Sequence, residues 1–596
     1  MAAAGVVAEP KTKYDRQLRA LQRLDSAIGI LFQLRLDYTQ ILKATCYFIT
    51  MYRIWGDQGQ AALENASICL LNCGPTGTEA LKNLVLGGIG SVTVVDGSKV
   101  EASDLGNNYL LDEGCLGQPR AKSICSFLQE LNDAVKAKFV EETPSTLIDN
   151  NPSFFSQFTV VIATQLPESS LLKLDDICRK ADIVLVAARS YGLTGLVRVS
   201  VKEHCVIESK PDHFLDDLRL HNPWAELKQF AKSIDINDKD PVVHKHTPYI
   251  VILVRLAEKW ADAHDGNLPS TRQEKREFKD LIRAHMLNLD EENYKEAVES
   301  SYKVSVTPGI SNEIREIIDD NSAEVNSSSS DFWILVAALK EFVANEGNGE
   351  LPLEGTIPDM TSLTEYYVSL QKIYQAKAEA DCLAMEHRVK DILKRIGRDP
   401  DSISRACIKT FCKNARKLRV CRYRSIEEEF SSPVVSEVQR YFTDEDCRSA
   451  SIAMKFLVHV FACPVSSMKC PLMPAKCCYR SYAMNFYILL RAVDRLAANY
   501  NRLPGIFDSE IDEDIPRLKT VAASVLSEMG LSGASLSEDL ITEMCRFGGA
   551  EIHPVAAFIG GVASQEVIKL VTKQFVPLKG TFIFNGIDLK SQVLEL

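Results

Sequence analysis

The stretch from Ala66 to Asp96, ASICLLNCGPTGTEALKNLVLGGIGSVTVVD, constrains the fold of this chain more than any other. It begins with an apolar strand pattern over 67–72 and passes through a turn that contains glycine and proline. Helical spacing of apolar residues follows, and a second apolar strand ends at Asp96. A strand, a helix and a strand in this order are typical of the βαβ units that bind nucleotides. We therefore predict such a unit here.

The turn after the first strand departs from a working phosphate loop. Such loops are rich in glycine, because only glycine lets backbone NH groups approach a phosphate without obstruction by a Cβ atom. The turn reads NCGPTG over 72–77, in which Pro75 removes a donor NH group and Asn72 places a side chain at the tightest point. The unit therefore keeps the architecture of a nucleotide site and loses part of its cradle. The remnants are Gly74, Gly77 and Asp96, the last of which stands where a ribose hydroxyl would be held.

Four stretches carry a resemblance to a known family. They are YDRQLR at 14–19, GTEALKNLVLGGIGSVTVVD at 77–96, VVIATQLPE at 160–168 and HPVAAFIGGVASQEVIKLVTKQF at 553–575. Together they resemble the adenylation domain of the enzymes that activate ubiquitin-like modifiers. Within that family, the chain is similar to the regulatory, non-catalytic subunits of neddylation-type activating heterodimers. The resemblance implies an α/β fold with a doubly wound, Rossmann-like adenylation-type core that is interrupted by a large helical insertion domain.

The sequence pattern divides the chain into four parts. Strand patterns alternate with helical patterns up to about 208, which implies parallel pairing and a doubly wound sheet. Helical periods and charged faces then dominate until the family pattern returns near 486. We predict a flexible lead-in over 1–13, the first part of the core over 14–210 with an inserted segment at 20–53, a helical insertion domain over 211–485 with a Cys- and Met-rich segment at 451–483, and the second part of the core over 486–596.

Composition excludes several classes of protein. The 68 basic and 80 acidic residues give a net charge of −12, which disfavours a nucleic-acid partner and suits a basic protein partner. The 17 cysteines are scattered and no signal peptide precedes them, so we expect a reduced compartment, the cytoplasm and also the nucleus. Charged residues interrupt the apolar segments before they reach about 18 residues, so we expect no membrane span.

Residues that adenylation needs are replaced in this chain. Forming an acyl-adenylate requires cations for the triphosphate, a carboxylate for Mg²⁺ and a phosphate cradle. Active members of the family carry an arginine where this chain has Gly106-Asn107-Asn108, and a metal-holding aspartate where it has Thr164-Gln165. Arg120 occupies the place of a lysine that contacts phosphate. The resemblance therefore implies that this chain is not an enzyme on its own and that a catalytic partner binds ATP and Mg²⁺.

The family motif at the N-terminus supplies a candidate for catalysis in trans. The resemblance implies that Arg16, in the Tyr-x-Arg-Gln motif, reaches ATP phosphates bound by the partner, as an arginine finger does. Arg19 is a weaker candidate for a helper. A salt bridge on the surface of a helix is the alternative for Arg16.

A segment near the middle of the chain is a candidate partner interface. Residues 359–372 resemble the family segment that meets the catalytic subunit, and tyrosine and methionine are common interface anchors. Core packing inside the helical domain remains the alternative. The resemblance further implies contact with the ubiquitin-like modifier and, through the complex, with a conjugating enzyme. The interface candidates are Asp359, Met360, Tyr366, Tyr367, Leu370 and Lys372.

Cysteine and histidine spacing favours no metal site. No cysteine lies in the catalytic cysteine motif of the family, and the cluster at 463–478 lacks the repeated CxxC that zinc sites show. We expect His244 and His246 to fix a loop before a buried helix, and His553 to cap the helix that contains Pro554. The clustered cysteines are Cys463, Cys470, Cys477 and Cys478.

The sequence therefore predicts the regulatory half of a heterodimer that activates a ubiquitin-like modifier. Three alternatives remain open. The small subunit of a sumoylation-type heterodimer is disfavoured by the long helical insertion. An NAD-dependent oxidoreductase, in which Asp96 would bind the ribose, is disfavoured by Pro75. A stand-alone adenylating enzyme is disfavoured by the replaced residues.

Overall fold

The computed structural model describes residues 55–56, 58–211, 216–306, 309–443 and 483–596. The chain forms two units, of which unit 2 is Cys205–Val420 and unit 1 contains the described residues on either side of it. The sequence analysis assigned 211–485 to the helical domain, whereas residues 421–443 and 483–485 lie in unit 1. The reason is packing, because Val438 and Tyr441 share a hydrophobic core with Ile583 of unit 1. The predicted lead-in 1–13, the insertion 20–53 and the segment 451–482 lie outside the described residues.

Unit 1 is built on an eight-stranded sheet with the strand order β10-β9-β6-β5-β4-β1-β2-β3. The chain crosses between the units within two further strands, β7 and β8. The strands are β1 (Ser67–Leu71), β2 (Ser91–Val95), β3 (Lys136–Val140), β4 (Val160–Thr164), β5 (Val184–Tyr191), β6 (Thr194–Ser200), β7 (Glu203–Val206), β8 (Arg419–Arg422), β9 (Thr581–Asn585) and β10 (Lys590–Leu594).

Five neighbouring strands are parallel to one another, in the spatial order β3, β2, β1, β4 and β5. The pairs β5–β6, β6–β9 and β9–β10 are antiparallel. In the centre, Ile68 of β1 lies opposite Val92 of β2 and Val160 of β4. These strands are apolar along most of their length because parallel strands are covered on both faces. The predicted doubly wound α/β core is therefore confirmed.

The helices of unit 1 cover both faces of the sheet. They are α1 (Pro75–Leu86), α2 (Arg120–Leu131), α3 (Pro144–Asn150), α4 (Glu168–Lys180), and, after unit 2, α15 (Ile426–Ser431), α16 (Val435–Thr443), α17 (Ala483–Tyr500), α18 (Ile511–Glu528), α19 (Glu538–Arg546) and α20 (His553–Thr572). Helix α20 packs closely on α1, since a Cβ atom on Gly560 would lie 2.9 Å from the backbone oxygen of Thr76 in α1. Among the described helices, α20 alone is long and apolar enough to cross a membrane, and 61% of that apolar stretch is buried within the protein.

Unit 2 is helical, as the sequence predicts. One core surrounds Ile250, Leu253 and Tyr294, and a second surrounds Ile334, Leu339 and Phe411. The helices are α5 (Ala225–Ser233), α6 (Pro241–Lys245), α7 (Tyr249–Ala263), α8 (Arg272–Ala284), α9 (Glu292–Ser300), α10 (Tyr302–Ser305), α11 (Asn312–Ile318), α12 (Asp331–Ala344), α13 (Thr364–Arg395) and α14 (Arg405–Lys413).

Candidate functional site

The loop between β1 and α1 keeps the close turn of a phosphate loop. Asn72 adopts a left-handed backbone with a φ of 64°, which asparagine tolerates better than most residues. Its side-chain Nδ2 donates to the backbone oxygen of Thr164 at 2.8 Å, which ties the loop to the end of β4. Gly77 is required by space, because a Cβ atom there would lie 2.7 Å from the backbone oxygen of Asn72. The loop is therefore well defined despite Pro75.

Asp96 follows β2 and is fully committed to groups of this chain. Its Oδ2 accepts from the Cys73 NH group at 2.9 Å and from Arg120 Nη2 at 2.8 Å, and its Oδ1 accepts from the Ser98 NH group at 2.8 Å. Burial alone would raise the pKa of Asp96, but Arg120 and the two NH groups outweigh burial and hold the pKa below its usual value. The carboxylate is therefore ionised and fully paired within the loop region.

Arg120, the first residue of α2, forms ion pairs with two carboxylates. Its Nε and Nη2 donate to Asp96, and its Nη1 donates to Asp104 Oδ1 at 3.2 Å. The resemblance placed this cation on a phosphate. In the structure, the guanidinium binds the carboxylates of Asp96 and Asp104 instead.

A carboxylate from the other end of the chain occupies the mouth of the loop. Glu551 Oε2 accepts from the backbone NH of Thr76 at 3.1 Å and from its hydroxyl at 2.6 Å, and lies 3.4 Å from the Ser190 hydroxyl. A Cβ atom on Gly74 would collide with Glu551 Oε1. The NH group at the start of α1, which would face a phosphate in a nucleotide site, therefore faces Glu551.

The replaced residues hold this arrangement together. Asn107 Nδ2 donates to the backbone oxygen of Glu551 at 2.7 Å, and Asn108 Nδ2 donates to the backbone oxygen of Cys73 at 3.2 Å. Gln165 Nε2 donates to the backbone oxygen of Ser190 at 2.6 Å. Three of the altered positions, Asn107, Asn108 and Gln165, therefore carry a side-chain amide that binds backbone.

Sequence reasoning identified the altered positions and missed Glu551. The residue lies 475 positions from Thr76, and nothing in its local sequence marks it as an anion for this loop. The only local signal is an acidic residue just ahead of the helix that begins at His553.

The remaining predicted residues lie elsewhere. The capping interpretation of His553 is wrong, because Ile552 occupies the N-cap position and the His553 ring contacts Glu79 Oε1 at 3.1 Å. His244 and His246 do fix the turn before α7, the first through Glu291 Oε1 at 2.8 Å. Among the residues that the structure describes, no group of three or more His, Cys, Asp or Glu side chains is placed to hold a metal ion. Arg16, Arg19, Cys463, Cys470, Cys477 and Cys478 lie outside the described residues.

The segment at 359–372 combines surface and core residues. Asp359 and Lys372 are exposed, and Tyr367 is half-buried. Met360 and Tyr366 are also half-buried and pack against the core of unit 2. Leu370 is completely buried in that core, so a surface role for Leu370 does not fit the structure.

Comparison with known proteins agrees with this architecture. A profile of the ThiF family matches residues 49–595. The chain is 60% identical over 589 residues to the NEDD8-activating enzyme E1 regulatory subunit AXR1 of Arabidopsis thaliana, with 99% of this chain and 97% of the relative covered. It is 59% identical to the AXL subunit of the same plant, with coverages of 99% and 100%. It is 42% identical to the Xenopus laevis subunit, with coverages of 91% and 97%.

The chain belongs to the ThiF family, among the NEDD8-activating enzyme E1 regulatory subunits. The predicted resemblance to neddylation-type regulatory subunits is thereby confirmed. The sumoylation-type alternative and the oxidoreductase alternative are not favoured, because the relatives carry the neddylation name across nearly the whole chain.

Proposed function

We propose that this ThiF-family chain is the non-catalytic partner in a NEDD8-activating heterodimer. In this proposal, the catalytic subunit binds ATP and Mg²⁺, adenylates the C-terminus of the ubiquitin-like modifier and then forms its thioester. This chain completes the heterodimer, helps to place the modifier and, through the complex, meets a conjugating enzyme. We propose the cytoplasm, and also the nucleus, as its location.

The observation that carries the proposal is the Asp96–Arg120 pair, at 2.8 Å. A nucleotide site of this type needs free cations for the triphosphate and a free carboxylate after the second strand for the ribose. Here the residual cation and the residual carboxylate neutralise each other, and the side chain of Asp96 is 1% exposed. Separating them to admit a nucleotide would leave a buried charge without its partner, which typically costs about 3–5 kcal/mol.

The proposal is tested by modifier-dependent exchange of pyrophosphate into ATP. We expect no exchange by the purified chain alone and robust exchange when the catalytic subunit is added. Robust exchange by the isolated chain would falsify the regulatory assignment. The same assay tests Arg16, because Arg16→Ala should lower exchange by the heterodimer by about tenfold or more if it acts as an arginine finger. Heterodimer assembly should be unchanged, and an unchanged rate would remove the finger proposal.

The segment 359–372 is the proposed interface with the catalytic subunit, and two kinds of substitution test it. Replacing both Asp359 and Lys372 with alanine should change the free energy of unfolding by less than about 0.5 kcal/mol, because both side chains are exposed. The same variant should bind the catalytic subunit more weakly in calorimetry. Leu370→Ala serves as the contrast, since it should cost about 3 kcal/mol of stability through a cavity in the core. Wild-type affinity in the Asp359/Lys372 variant would place the interface elsewhere.

A further inference from the structure

We infer that Glu551 is a resident anion of the vestigial phosphate loop, and that the loop behind it is still able to bind an inorganic phosphate group once that carboxylate is removed. The inference deepens the proposed function, and rests on it, because it explains how the chain keeps its own loop unavailable to nucleotide. The ligand class is a phosphate or pyrophosphate oxyanion without a base or sugar.

The first support is the convergence of donors on one carboxylate oxygen. The NH and hydroxyl of Thr76 reach Glu551 Oε2 at 3.1 and 2.6 Å, and the Ser190 hydroxyl lies 3.4 Å away. The two hydroxyls are themselves 2.7 Å apart. Backbone NH and hydroxyl groups at the start of a helix are the donors with which proteins bind phosphate. Glu551 therefore uses the chemistry that a phosphate oxygen would use.

The second support is space. A Cβ atom on Gly74 would collide with Glu551 Oε1, so the carboxylate lies directly against the backbone of the loop. Phosphate and Glu551 would also repel each other as like charges at contact distance. Occupation of the loop by Glu551 and by phosphate is therefore mutually exclusive.

The third support is that the backbone of Glu551 is held on both sides. Asn107 Nδ2 donates to the backbone oxygen of Glu551 at 2.7 Å, and the Gly192 NH group donates to the oxygen of Ala550 at 2.8 Å. The resemblance places an arginine of active members at Asn107. The position that would contact ATP in such a member thus holds the backbone of Glu551 here.

The surrounding charges predict weak binding. Arg120 is neutralised by Asp96 and Asp104, and Lys82 pairs with Glu79. An anion in the opened loop would be held by dipoles and hydroxyl groups, so we expect millimolar affinity and no selectivity for adenine.

The test titrates the isolated chain with inorganic pyrophosphate at constant ionic strength, followed by ³¹P NMR and by the thermal unfolding midpoint. Glu551→Ala should bind pyrophosphate about tenfold or more tightly than the wild type, because it removes both the obstruction and a negative charge at close range. Adding Thr76→Val to Glu551→Ala should abolish the gain. Glu538→Ala, which removes an exposed carboxylate of α19 instead, is the matched control and should bind like the wild type.

Glu551→Gln provides a second variant that keeps the volume of the side chain if the alanine variant does not fold. It should bind pyrophosphate more tightly than the wild type and less tightly than the alanine variant. The inference is overturned if folded variants bind no better than the wild type, or if the wild type already binds as tightly as they do. The exchange assay on the heterodimer is independent of this titration, so failure here leaves the regulatory assignment standing.

Discussion

The two faces of the sheet in unit 1 differ in how completely their buried charged side chains are paired. Adjacent residues of β5 point to opposite faces, as strand geometry requires. Ser190 faces the vestigial loop, and Arg189 faces a cavity of about 60 Å³, where it pairs with Asp494 at 2.5 Å. On the loop face, Asp96 and Arg120 are joined by two hydrogen bonds. The two faces therefore share a strand and differ in how completely their charges are paired.

On the cavity face, some arginine NH donors of the described residues make no hydrogen bond. Within the described part of the chain, the Nε atoms of Arg189, Arg198 and Arg491 have no hydrogen-bond partner. Burial raises the pKa of Glu168 despite the neighbouring Arg491, and burial likewise raises the pKa of Asp494 despite Arg189. A cavity of this size has room for a few water molecules, and Arg189, Arg491 and Asp494 in its lining offer them partners. The charged groups beside the loop are therefore specifically paired, whereas some of the described charged groups beside the cavity of the same unit are not.

The largest expected effect is on the loop face. Asp96→Asn leaves the Arg120 guanidinium without its main partner, so the free energy of unfolding should fall by about 3–5 kcal/mol. Urea denaturation followed by circular dichroism measures the loss. Asp104→Asn is the matched control, because Asp104 makes only the longer bond to Arg120, and should cost about 1 kcal/mol. Equal losses in the two variants would contradict the conclusion that Asp96 is the main partner of Arg120.

A smaller effect is expected on the cavity face. The Arg491 guanidinium carbon lies 4.0 Å from the centre of the Phe430 ring, and the nearest Glu168 oxygen is 3.7 Å from its Nε. Arg491→Met keeps the contact with the ring, and Glu168 can be neutralised by a proton. We expect a loss of about 1 kcal/mol by the same measurement. A loss as large as that of Asp96→Asn would show that both faces are tightly paired.

The smallest effect is a difference in pH dependence. Asp96 has a lowered pKa in the folded state, so its stabilisation is complete above its ordinary value of 3.8 and is lost as the pH falls through the folded pKa. Glu168 and Asp494 have raised pKa values, so falling pH should first increase the stability of the cavity face.

The stability difference between wild type and Asp96→Asn should therefore stay constant down to about pH 5 and shrink below about pH 4. Unfolding midpoints measured across this range check the sign. A difference that grows on acidification would contradict the lowered pKa of Asp96.

Much of the fold could be predicted from local pattern. The apolar runs of β1, β2 and β4, the position of Asp96 just past β2 and the helix over 331–344 all follow from the spacing of apolar residues. The altered residues at 106–108 and 164–165 were found by resemblance. The return of the chain to unit 1 near Cys421 was not predicted, because helical periods look alike whichever core buries them.

The amino-acid sequence by itself determined that the chain has a nucleotide-type α/β core, since strand and helix periods are local properties. Only the tertiary structure decided which groups lie against the loop between β1 and α1. Glu551 meets Thr76 across 475 residues, and Arg120 turns to Asp96 instead of outward. Such pairings depend on which segments the folded sheet brings together, and the local spacing of apolar residues does not predict them.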